Sequence, residues 1–377
     1  MTNDSGYFPR DYSDSRQRFS EAIEKLRPPK SAGSWKIPGK NDDDLFVDHV
    51  WLPPSGTPKT LFVLTSGIHG SETYAGAAVQ FMFMQEILPH FDRTHAGIFI
   101  VHAMNPYGFK HHERCTENFV NLNRNFSVSG KNFASKSSES LTMCERFLER
   151  EPVSSLKSAF MDKLLYRAGK PWFDDVSLDE LIKATSPGQF EREHDWEYGG
   201  TKLEPQSEML IGKLRELMQD YKDVVHFDLH TGLGDRGRLH LLTDLPGKSL
   251  DKNLFNELIK PVEDDEFYTF TPPETEGFYA VHGALNSAFG ELAQENQRVC
   301  SLTMEYGTLG HSLDAQLAGL NSFALAHQGQ FHGFTNEKIK ELIIRENFER
   351  SRPPEPEWEQ QVVAAARGMF QKVISRI

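Results

Sequence analysis

Apolar positions along the chain fall into short runs separated by longer stretches of helical spacing. Residues 45–52 alternate roughly between apolar and polar, and 60–64 are almost wholly apolar, so both read as strands, the second more buried. Residues 97–102 (GIFIVH), 224–229, 238–243, 266–270 and 299–305 read the same way. Between them, 73–91, 207–221, 250–262, 284–297 and 315–327 carry helical patterns, such as Met209, Leu210, Leu214, Leu217 and Met218. Strands alternating with helices predict an α/β fold with a mixed, largely parallel central sheet flanked by helices.

The remaining stretches read as additions to that core. Residues 1–35 form an N-terminal arm with a helix at 14–26, stopped by Pro28-Pro29, and 36–40 read as loop. Residues 127–205 are charged and helix-prone at 140–149, 153–167 and 178–184, which predicts a helical insertion laid over the core. Beyond 335 come charged helices, with Pro353-Pro354-Glu355-Pro356 before a last helix at 358–374. The expectation is one domain over 1–377, with a core at about 43–335 and a C-terminal helical extension at 336–377.

Charge and cysteine usage narrow the function classes. The 54 acidic and 41 basic residues give a net charge of −13, which argues against a nucleic acid or an anionic membrane as partner. Three separated cysteines with no C-x-x-C argue against a cysteine zinc site or a disulfide scaffold. The polar N-terminus lacks an apolar leader and no apolar run approaches about 18 residues, so a cytoplasmic protein is expected.

Candidate chemistry lies at three strand ends: Gly67-Ile68-His69-Gly70-Ser71-Glu72, His226-Phe227-Asp228-Leu229-His230 and Ser301-Leu302-Thr303-Met304-Glu305. Strand ends of one open α/β sheet converge on one crevice. Two histidines and one carboxylate with an open position form a catalytic zinc set, which His69, Glu72 and His230 fit. Glu305 is then the free carboxylate that takes a proton from zinc-activated water and passes it to the leaving group. Asp228 shares a strand face with His230, where it either orients that ring or forms a structural ion pair. In the polar loop 114–126, Arg114 suits an oxyanion, and Asn123 with Arg124 suits bidentate capture of a substrate carboxylate. Ser71 is a candidate helix cap.

Taken in order, HGSE, NPYGF, an R-x₉-R ending in NLNRNF, DLHTG and TMEYG resemble the zinc carboxypeptidase superfamily over residues 43–335. NPYGF with NLNRNF also resembles its succinylglutamate desuccinylase and aspartoacylase branch. The segment from Gly188-Gln189-Phe190 to Tyr198-Gly199-Gly200 resembles an uncharacterised bacterial subgroup. The resemblance implies one Zn2+ per chain on His69, Glu72 and His230, with Glu305 as general base, Arg114 on the oxyanion, and Asn123 and Arg124 on a carboxylate. Carboxypeptidases carry a mobile tyrosine over the site, and Tyr279 lies in the matching interval. The implied activity is metallocarboxypeptidase-like hydrolysis of amide bonds in a peptide or small molecule with a free carboxylate. The alternatives are an N-acyl amino acid deacylase and, from another class, a catalytically silent zinc-binding protein; the latter is disfavoured because no ligand and no base is lost.

Other motifs are read more plainly. His111-His112 read as a solvated loop, and His102, His226 and His240 as strand residues with hydrogen-bonded rings. Cys115 has no partner for a nucleophile's role. Gly232-Leu233-Gly234-Asp235-Arg236-Gly237 matches G-x-G-x-x-G, but 238–243 read as a strand where a dinucleotide fold needs a helix.

Overall fold

The first helix, α1 (Tyr12–Lys25), starts at Asp11, whose side chain accepts the Asp14 amide, and it buries Tyr12, Ser15, Phe19 and Ala22 at helical spacing. The computed structural model describes residues 4–39, 44–242, 249–262, 268–271, 281–310 and 312–377. After α1, strands β1 (Ser31–Ile37) and β2 (Leu45–Leu52) pair antiparallel. β1 falls where an arm and a loop were expected. It is a largely exposed edge strand, so it carries no apolar alternation to betray it.

β3 (Thr60–Ser66) leads through a turn into α2 (Thr73–Met82), and β4 (Ala96–His102) pairs parallel to β3. The helix expected over 73–91 keeps α geometry only to Met82. A π turn at Phe83–Ile87 and a 3-10 turn at Leu88–His90 follow, where Pro89 has no amide to continue the ladder.

Next come α3 (Pro106–His111), α4 (Ser138–Phe147), β5 (Leu164–Arg167), β6 (Lys170–Phe173), β7 (Val176–Ser177) and α5 (Leu178–Thr185). The three short strands form a separate antiparallel sheet in the stretch expected to be helical. Ala168 and Gly169 both have positive φ, 50° and 77°, and their two-residue turn sets the β5–β6 hairpin, overriding the helical spacing of 153–167.

The second half supplies α6 (Pro205–Met218), β8 (Asp223–Gly232), β9 (Leu239–Leu242), α7 (Lys252–Leu258), β10 (Tyr268–Thr271), α8 (Leu285–Leu292) and β11 (Arg298–Gly307). Three helices close the chain: α9 (Leu313–His332), α10 (Glu337–Ser351) and α11 (Pro356–Ile374). The main sheet has eight strands in the order β1-β2-β4-β3-β8-β11-β9-β10. β4, β3, β8 and β11 run parallel, while β2 and β9 are antiparallel to their inner neighbours. The sheet is therefore mixed and mostly parallel, as the alternation predicted.

Both faces are covered. α2 and α11 bury one face through Phe62, Phe83, Phe227 and Phe370, and α6 and α8 bury the other through Leu210, Leu214, Ala288 and Phe289. That double burial explains the continuous apolar runs of β3 and β4. A smaller core joins Phe147, Phe173, Leu181 and Trp196 to Leu317 and Ala324 of α9. No described helix is long and apolar enough to cross a membrane.

Candidate metal centre

The turn after β3 is built by Gly67, whose φ of 73° favours glycine. Its backbone bonds to the next loops: Asn105 N donates to Gly67 O at 2.7 Å, and Gly70 N donates to Arg114 O at 3.3 Å. His69 is extended and leads a 3-10 turn, Gly70–Glu72, which brings Glu72 back under its ring. Ser71 does not cap a helix; its hydroxyl accepts from Ser351 at 3.0 Å. On β8, Asp228 and His230 share a face. Glu305 of β11 is the register partner of His230, so the parallel strands present both side chains to one side.

The atoms offered by His69, Glu72 and His230 lie within 4.8 Å of one another, and all three residues are buried. His69 Nδ1 is 2.8 Å from Glu72 Oε1, and His230 Nδ1 is 3.1 Å from Glu72 Oε2. The outer nitrogens are already committed. His230 Nε2 is 2.7 Å from Asp228 Oδ2, an acceptor. His69 Nε2 is 3.1 Å from Asn121 Oδ1, and that oxygen also accepts from Asn123 N while Asn121 Nδ2 donates to Glu197. Each neutral ring therefore carries its proton on Nε2 and turns an Nδ1 lone pair toward the Glu72 carboxylate. Lone pairs facing a carboxylate at these distances call for a shared cation. Two imidazole nitrogens and a carboxylate, with outer nitrogens held by acceptors, are a donor set that suits zinc.

Charges follow from burial and neighbours. Burial opposes the Glu72 charge, but His69 and His230 outweigh it and hold Glu72 well below the usual carboxylate range. Burial, aided by Arg114, lowers His69 to about 4. His230 is raised: burial works against its charge and Asp228, then Glu72, overcome it. Glu305 is pushed up to about 7, first by burial and then by the Glu72 charge, and its Oε1 accepts from Leu233 N at 2.9 Å.

The arginines are arranged in a way the sequence did not reveal. Arg124 is fully buried and turned to protein acceptors: Glu197 at 2.8 Å, the Ser186 carbonyl at 2.6 Å and the Asn123 carbonyl at 3.0 Å. Glu197 also lies 3.6 Å from Arg114 Nε, and Arg114 Nη1 donates to Glu72 at 3.1 Å. Burial raises the Glu197 carboxyl, but Arg124 and Arg114 reverse that and hold it lowered. Asn123 lines the same cavity, and its Oδ1 accepts from Leu285 N at 3.2 Å. Glu197 and Asn121 are the residues sequence reasoning missed. Asn121 stood in the NLNRNF run; Glu197 gave no signal beyond its place in the 188–200 segment, where it adopts a left-handed φ of 55°.

Tyr279 lies outside the described residues. His111 and His112 stay apart from the cluster, and His112 is half-buried between Tyr74 and Phe348 instead of solvated in a loop. The rings of His102, His226 and His240 are hydrogen-bonded, with Gln80, Thr65 and Asp235 among their partners. Burial pushes the Cys115 thiol up to about 12, so it carries no thiolate at neutral pH. The glycine run 232–237 leads into β9, not a helix.

His69, Glu72, His230, Glu305, Arg114 and Arg124 open on one cavity of about 340 Å3. Leu178 and Ile182 of α5, and Leu320 and Phe323 of α9, supply apolar wall. A carboxylate clasped by two imidazoles at the C-terminal edge of a doubly covered, mostly parallel sheet defines a candidate metal centre in an α/β fold. The chain belongs to the family described as protein of unknown function (DUF2817), which matches residues 8–365. Among solved structures it is similar to thrombin activatable fibrinolysis inhibitor at 14% identity, over 98% of this chain and 75% of that one, with a TM-score of 0.48. It is also similar to a metallo-carboxypeptidase from Burkholderia cenocepacia (13% identity, 86% and 69% covered, TM-score 0.45). A third is carboxypeptidase A from Helicoverpa armigera (12% identity, 94% and 76% covered, TM-score 0.43). No curated protein matches the chain.

Proposed function

We propose that this protein is a metal-dependent hydrolase of amide bonds, metallocarboxypeptidase-like, with His69, Glu72 and His230 holding one zinc ion. The observation that carries this reading is the pair of Nδ1 lone pairs turned on one buried carboxylate, each ring pinned from behind. When bound, zinc there supplies Lewis acidity toward a carbonyl oxygen and toward water. Glu305, with a carboxyl near 7, takes a proton from water and returns it to the departing nitrogen. Arg114, a neighbour of Glu72 whose side chain is 28% exposed, meets the negative charge that develops on the carbonyl oxygen. Asp228 and Asn121 hold the two imidazoles in the tautomer that leaves Nδ1 free to bind.

The alternative substrate class, an N-acyl amino acid, is favoured by the cavity itself. At about 340 Å3 it sits at the small end of ligand pockets, which run from about 300 to 1,000 Å3, and it suits a short substrate.

Glu305→Gln tests the chemistry. The variant should keep its metal and fold while turnover of short peptides and N-acyl amino acids falls by at least about 100-fold. Wild-type turnover in the metal-loaded variant would remove Glu305 as the base. A metal-loaded wild type that hydrolyses none of these substrates would favour a silent binding protein.

A further inference from the structure

We propose that Arg350 receives the anionic group of the ligand, a carboxylate carried by a molecule with an apolar side chain. The inference deepens the functional reading above and rests on it for the identity of the site as a substrate cavity.

Three arginines line the cavity: Arg114, Arg124 and Arg350. Glu197 lies between the first two, 2.8 Å from Arg124 and 3.6 Å from Arg114, and the Ser186 and Asn123 carbonyls take further Arg124 donors. A substrate carboxylate arriving at Arg124 would have to displace a buried acid of the protein's own.

Arg350 is placed differently. It sits on the last turn of α10, where Nη1 donates to the Gly319 carbonyl of α9. Its Nε is buried and has no hydrogen-bond partner. Among the described residues no carboxylate forms a salt bridge with it; Glu346, one turn earlier, is the acid that acts on it, and burial outweighs that help and lowers its pKa to about 10. The guanidinium opens on the cavity while surrounding atoms shut it from bulk solvent. A guanidinium stays charged at neutral pH, and a buried charge without a counter-ion is costly, so an incoming carboxylate removes a penalty as well as making bonds. Its forked donors fit a carboxylate in two-point fashion.

The position of Arg350 is fixed by the metal-site strands. The Thr231 hydroxyl donates to the Ser351 carbonyl at 2.8 Å, and the Ser351 hydroxyl donates to Ser71 at 3.0 Å. Thr231 and Ser71 are the chain neighbours of His230 and Glu72, so the end of α10 is tied to both ligand segments. Gly319 leaves the guanidinium its place: a Cβ there would stand 3.1 Å from Nη2. Leu178, Ile182, Leu320 and Phe323 give the same cavity apolar wall, which suits an aliphatic or aromatic side chain beside the carboxylate.

The test compares binding of N-acetyl-L-phenylalanine with that of its neutral amide, by calorimetry, in zinc-loaded wild type, Arg350→Met and Arg350→Lys. The wild type should prefer the acid by about tenfold or more. Arg350→Met should bind both alike while holding the same zinc, and Arg350→Lys should recover part of the preference. Because Met fills similar volume without a stranded charge, Arg350→Met should unfold at a urea concentration no lower than the wild type. A wild type with no preference for the acid, or an Arg350→Met variant that keeps one, overturns the proposal. So does a destabilised Arg350→Met whose acid preference is intact, since that marks a structural arginine. If the preference tracks Arg350 but the wild type cleaves no amide, the hydrolase reading falls and the anion site stands.

Discussion

Replacing Glu197 with Gln should cost the fold more than an ordinary surface change, because it strands buried cations. The Glu197 side chain is 9% exposed and that of Arg124 only 2% exposed, at 2.8 Å. Removing one partner of such a pair costs about 3–5 kcal/mol. Arg124 keeps the Ser186 and Asn123 carbonyls as acceptors, which places the loss near the lower end, about 3 kcal/mol. With a urea slope of about 3 kcal/mol/M, the unfolding midpoint should fall by about 1 M. Adding Arg124→Met, which removes the stranded charge, should restore part of that loss, and the double-variant cycle should show clear coupling. The pH dependence has a definite sign. The folded pKa of Glu197 lies below its ordinary value, so its contribution is complete above the unfolded carboxyl pKa and is lost as pH falls through the folded one. An unchanged midpoint at pH 7, or a double variant that loses the sum of the singles, would refute this account of the pair.

Two further expectations concern histidines. Burial lowers His102 to about 4, and Gln80 Oε1 accepts from its Nδ1 at 2.8 Å, so the folded ring is neutral. Its stabilising effect is full above pH 6.5 and lost as pH falls toward 4, amounting to about 2 kcal/mol by pH 5. Imidazole nitrogen NMR at pH 5.5 should show the neutral Nδ1–H tautomer; a protonated ring would contradict it. Asp228→Asn keeps the shape beside His230 Nε2 but weakens the acceptor, and zinc affinity should drop about 10–100-fold in a chelator competition, with unchanged affinity as the contrary result.

The strands of the core and the ligand trio were legible because buried parallel strands advertise themselves as apolar runs, and the ligands sit where those runs stop. Glu305 could be picked out for the same reason. What was hidden depends on contacts between distant segments. The edge strand β1 carries too little buried surface to show a period. Glu197 acquires its meaning only when the 188–200 segment folds against Arg124 in a backbone conformation that a glutamate seldom adopts. Arg350 is one of many charges on α10, and only the packing of α10 on α9 shows that its Nε has no partner. The β5–β6 hairpin turned on two residues of positive φ inside a helix-like pattern, where local turn chemistry outweighs spacing.

The central claim is that three distant segments form one metal centre. Elemental mass spectrometry of purified wild type beside His230→Ala tests it most directly. The account predicts about one zinc per chain in the wild type and its loss in the variant. A wild type that takes up no metal even when zinc is supplied, or a variant that holds it equally well, would contradict it.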